Sequence, residues 1–100
     1  SKIYETENLE EAIEYLREAL ECAKTLHDEF KEAFAYLELG DLYYNFNQDE
    51  LALECFFEAK KALGENILDE NEQIINQRIN DMKIKMLPVE FQRIEANYAQ

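Results

Sequence analysis

Apolar residues recur at steps of three and four along most of the chain. Leu9, Ala12, Ile13, Leu16, Ala19, Leu20 and Ala23 fall on one side of a helical projection. Glu10, Glu14, Glu18 and Glu21 fall on the other, as a solvated face does. Asn8, with Glu11 three residues on, has the spacing of a capping box. The pattern therefore predicts a first helix from Leu9 to about Leu26. His27-Asp28-Glu29 breaks it, with Asp28 as the N-cap of a second helix reaching Phe46. Asn47 to Glu50 repeats the capping-box spacing and opens a third helix, Asp49 to Leu63, which Gly64 stops. A fourth helix runs from about Asp69 to Leu87, with Ile75, Ile79, Met82 and Met86 on its apolar side. Pro88 cannot extend that helix but suits the first turn of another, Pro88 to about Tyr98. There Val89, Phe91, Ile94 and Tyr98 are available for packing.

The composition agrees with an all-α fold. The 100 residues suit one small domain, and 47% of them are apolar, enough to form a core. Two Gly and one Pro are too few for an all-β chain, which turns every 8–12 residues or so.

Two helices carry a more specific pattern. Tyr36-x-x-Leu39-Gly40-x-x-Tyr43 lies on the second, and Ala52-x-x-x-Phe56-x-x-Ala59 on the third. Small residues at Gly40, Ala52 and Ala59 suit close approach of two helix backbones. Tyr36, Leu39, Tyr43 and Phe56 suit the space around them. Together these positions resemble the tetratricopeptide repeat. Ala12, Leu16 and Ala19 match Ala52, Phe56 and Ala59 in order, 40 residues earlier. That is longer than the usual repeat of about 34, and Cys22 to Leu26 absorbs the excess. The resemblance covers roughly residues 8–64; beyond Gly64 the Leu-Gly pair is absent and Arg78, Lys83 and Lys85 interleave with apolar residues.

The resemblance implies antiparallel helix hairpins stacked as a short right-handed solenoid with a C-terminal capping helix. It divides the chain into a partial repeat (1–28), a complete repeat (29–66) and degenerate terminal helices (67–100). Ile3 and Tyr4 then close a helix whose remainder lies upstream, consistent with a processed or excised chain opening at Ser1. The resemblance further implies a concave groove holding a peptide or helix of a partner. Phe34, Leu37, Asp41, Tyr44 and Asn45 share the corresponding stripe of the second helix, and Tyr4 extends it. The alternative for Phe34, Leu37 and Tyr44 is packing beneath the terminal helices. Family members that clamp a C-terminal carboxylate use cationic donors; here Leu37 and Asp41 stand at the matching places, which disfavours such a clamp.

Charge narrows the partners. Net charge is −13: residues 1–50 carry 14 acids and 4 bases, residues 51–100 carry 9 acids and 6 bases. Such a surface repels nucleic-acid phosphates and anionic membranes and permits a basic partner. No apolar run is long enough to span a bilayer. Cys22 and Cys55 have no metal or redox spacing and sit among apolar helical residues, so both are expected to be reduced and structural, in a cytoplasmic protein.

Catalytic chemistry finds little support. His27 stands alone at a turn, without a nucleophile nearby in sequence. Glu10, Glu14 and Glu18 lie on a wet face, where a raised carboxylate pKa is not expected. Asp69-x-Asn71-x-Gln73 partly matches a calcium loop, but Ile74 replaces its Gly and Asn80 its bidentate Glu. No metal, cofactor or enzymatic activity is expected. The expectation is a protein-interaction module. Its alternatives are a homodimerising structural module and a peptide-sensing domain of a larger signalling or transcription protein.

Overall fold

The computed structural model describes residues 2–64 and 70–99, with side chains from Asn8 onward. Its helices are α1 (Lys2–Thr25), α2 (Glu29–Asn45), α3 (Asp49–Leu63), α4 (Glu70–Lys85) and α5 (Pro88–Ala96), and no strand occurs among the described residues. Asp69, the expected start of the fourth helix, lies outside them.

The first helix differs from expectation. α1 runs unbroken through Asn8, which is an exposed interior residue and not a cap. Ile3 and Tyr4 consequently do not close a separate helix. No Gly or Pro stands between Lys2 and Asn8. An interior Asn costs only ~0.5 kcal/mol relative to Ala, too little to end a helix whose next turns are well formed.

The two hairpin loops share one construction. His27 (φ 55°) and Asn47 (φ 62°) are left-handed. In the first loop the His27 amide donates to Lys24 O (3.1 Å) and the Asp28 amide to Ala23 O (2.9 Å). In the second, Asn47 donates to Tyr44 O (3.1 Å) and Gln48 to Tyr43 O (2.9 Å). Both are Schellman motifs, which satisfy the last carbonyls of α1 and α2. The residue after each left-handed position is the N-cap of the next helix. Asp28 caps α2 by accepting from the Lys31 amide at 3.1 Å. Asn47 is therefore a helix terminator, and the cap of α3 is Gln48, which makes no side-chain cap bond. Gly64 ends α3 with φ 58°, as its position predicts.

Packing follows the short loops. α3 folds back along α2, and the fully buried Ala52, Phe56 and Ala59 line their contact. α1 is antiparallel to α2, since Lys24 meets Tyr36 while Arg17 meets Tyr43. α4 runs in the direction of α2, with Arg78 beside Asp41 and Lys85 beside Tyr44. α5 runs in the direction of α3, with Arg93 at Glu50 and Tyr98 at Glu58. The result is an all-helical arrangement of antiparallel hairpins, with α4 alongside α2 and α5 alongside α3. Ile75, Met82, Met86, Phe91 and Ile94 complete one core with α2 and α3.

Three residues expected on apolar faces are exposed: Val89, Cys22 and Ala19. Val89 is 70% exposed. It stands about 200° around α5 from Phe91, away from the Phe91–Ile94–Tyr98 stripe. Cys22 is exposed, whereas Cys55 is buried. Cys22 projects from the same exposed stripe as Ala19, not from the Leu20–Ala23 side that meets α2.

Candidate interaction groove

Three of the residues expected to bind a partner come together. Asp41, Tyr44 and Asn45 stand at steps of three and one near the end of α2, and α4 places Arg78, Asp81 and Met82 opposite them. The parallel run of α2 and α4 leaves an open pocket of about 310 Å³ between them, underlain by Phe56 and Met82. These two are fully buried, so the floor is rigid and the walls are polar.

Its walls are held by charge. Arg78 Nε donates to Asp41 Oδ1 at 2.8 Å, and Nη2 reaches Oδ2 at 3.5 Å. Hydrogen bonding to Asp41 raises the guanidinium pKa further, against the opposing effect of burial. Both side chains are more than a third exposed, so the pair is worth at most about 1 kcal/mol. Its fork geometry instead fixes the spacing of α2 and α4. Lys85 Nζ lies 4.3 Å from the Tyr44 ring centroid and 3.0 Å from Asp49 Oδ1. That oxygen is shielded from water and lacks a well-aligned donor, so the ammonium serves as its counter-charge. Asp49 also opens α3, where a carboxylate meets the positive end of the helix dipole.

Tyr44 and Asn45 remain exposed at the rim. The Asn45 carboxamide makes no side-chain hydrogen bond among the described residues, leaving both donors and its acceptor available. The other expected residues are placed differently. Leu37 is 5% exposed and belongs to the core, so it presents no surface. Phe34 is 49% exposed but lines a separate groove between α1 and α2. The Tyr4 side chain lies outside the described residues.

Sequence reasoning missed Arg78, Asp81 and Lys85. The signal was present: Arg78, Asp81 and Lys85 step by three and four along α4 and so share a face. Their mixture with apolar residues reads as degeneracy until α2 is laid beside them. Other chemistry is sparse. Among the described residues no cluster of three or more His, Cys, Asp or Glu could hold a metal ion. No described helix is long and apolar enough to cross a membrane. Glu10, Glu14, Glu18 and Glu21 do line a shared groove with Arg17 and Tyr43, and Arg17 Nη2 donates to Tyr43 Oη at 3.3 Å.

Protein-family models, curated proteins and solved structures were all compared with the chain, and none matches it.

Proposed function

We propose that this chain is a non-catalytic protein-interaction module of tetratricopeptide type, which holds a peptide segment of a partner in the α2/α4 groove. The observation that carries the reading is the exposed pair Tyr44 and Asn45 beside the Asp41–Arg78 bridge, over a rigid floor. Asn45 can donate to and accept from a peptide backbone, and the Tyr44 ring, one face of which meets Lys85, offers its remaining exposed surface to an apolar side chain. The side-by-side placement of α2 with α4 and of α3 with α5 supports the repeat assignment. So does the close approach of Gly40 to Phe56. Arg78 and Lys85 are already engaged by Asp41 and Asp49, which argues against a ligand held chiefly by a carboxylate.

The test is selection of displayed random peptides on the immobilised chain, followed by affinity measurement on single substitutions. Tyr44→Ala and Asn45→Ala should each weaken an enriched peptide by about tenfold while leaving the helical circular dichroism intact. Peptides that bind both variants as tightly as the unsubstituted chain would exclude the groove as their site.

A further inference from the structure

A second groove lies between α1 and the N-terminal half of α2, lined on α2 by Lys31, Phe34, Ala35 and Glu38, none of which lines the α2/α4 groove. Tyr15, Ala19 and Cys22 of α1 and Leu26, the residue just after it, are all exposed and follow one another at steps of four, three and four. Such spacing forms one straight stripe along a helix. Tyr15 is 71% and Leu26 64% exposed. Beside this stripe stands Phe34 of α2, and together they line a groove of about 320 Å³. An apolar stripe twelve residues long, about 17 Å on a helix, matches the dimensions of another helix laid against it.

The rim of this groove selects among occupants. Glu38 lines it directly, and Glu11 and Glu18 flank the stripe, one turn before and one after Tyr15. Lys31 is the cation lining it. The half of the chain that contains it carries 14 acids against 4 bases, a net −10. A second copy of the same acidic surface would add like charge to like. A helix with an apolar stripe and Lys or Arg on its flanks meets both properties at once. We infer that the α1/α2 groove is a docking site for a basic amphipathic helix of a partner protein, separate from the peptide groove between α2 and α4.

Two synthetic probes test this on the whole chain. Both are helices of about 18 residues, roughly 27 Å long, with the same Leu stripe; one carries Lys on its flanks and the other Glu. Fluorescence anisotropy should show saturable binding of the Lys probe and binding of the Glu probe weaker by about a hundredfold at low salt. Tyr15→Ser with Leu26→Ser removes apolar surface without changing charge and should weaken the Lys probe by about tenfold or more. Val89→Ser, at the far end of the molecule, should leave it unchanged, as should Tyr44→Ala with Asn45→Ala. Equal binding of the two probes would overturn the inference. So would a Lys-probe affinity indifferent to the Tyr15/Leu26 substitutions. Light scattering supplies the remaining arm: a dimer that Tyr15→Ser with Leu26→Ser returns to the 11.9 kDa monomer would assign the stripe to a second copy instead. Failure of this site leaves the α2/α4 groove untouched, because the two sets of substitutions do not overlap.

Discussion

A β-carbon added to Gly40 would stand 2.5 Å from Cε1 and 2.8 Å from Cδ1 of Phe56. Phe56 is fully buried and cannot swing clear. The glycine therefore serves the approach of α2 to α3; its backbone φ is an ordinary helical one. Gly40→Ala gains about 1 kcal/mol of helix propensity and incurs an overpacking cost of about 1–3 kcal/mol. The expected outcome is a net loss of about 1 kcal/mol in urea unfolding. Phe56→Leu should relieve the clash, so the double variant should lose less stability than the sum of the two single variants. An additive pair would mean that the ring and the missing β-carbon do not compete for the same space.

That contact was legible in the sequence. Gly40, Ala52 and Ala59 marked a close helix pair by size alone, and periodicity located α2, α3 and the Pro88 start of α5. Boundaries resting on one polar residue were less secure. Asn8 and Asn47 both had capping-box spacing, yet Asn8 is helical and Asn47 is left-handed. Asparagine suits a cap, a left-handed terminator and, at modest cost, a helix interior, so its neighbours decide. The groove was half legible. A projection of α2 gave Asp41, Tyr44 and Asn45, but the same projection placed Leu37 at the rim, and the folded chain buries it in the core. The cations of α4 could not be assigned to this face before the direction of that helix was known.

The left-handed residues give a second prediction. Neither His27 nor Asn47 is glycine, and the left-handed region costs an ordinary residue about 1 kcal/mol. His27→Gly should therefore stabilise the chain by up to about 1 kcal/mol, with a smaller gain for Asn47→Gly because Asn tolerates the region better. Asn47→Val should destabilise by about 1 kcal/mol or more, since branching at the β-carbon adds strain. Thermal unfolding midpoints should rank Gly above Asn above Val at position 47. Equal midpoints would mean that the α2–α3 loop is not held in the Schellman geometry.

The two cysteines should behave differently. Cys22 is exposed and should react with a thiol reagent in the folded chain, whereas Cys55 should react only on unfolding. Burial, reinforced by Glu54 and Glu58, pushes the Cys55 thiol from its ordinary 9.0 up to about 12. Below pH 9 the thiol is protonated in both folded and unfolded chains. Between pH 9 and 12 only the unfolded chain ionises, so stability falls as pH rises, by up to about 1.4 kcal/mol per unit. Tyr98 is also raised above its ordinary 10.0, first by burial and then by donating to Glu58, and it steepens the fall above pH 10. Cys55→Ala should show a shallower decline over this range in urea titrations. An unchanged slope would place the thiolate of Cys55 in contact with water.

Amide chemical-shift mapping with a selected peptide reads directly the face on which the chain holds it. Titration into the isotope-labelled chain should move the amides of Asp41, Tyr44, Asn45, Arg78 and Asp81, together with the Asn45 side-chain amide, saturating at a single dissociation constant. Shifts confined to the outer faces of α3 and α5, with the α2/α4 amides unmoved, would contradict binding in the groove.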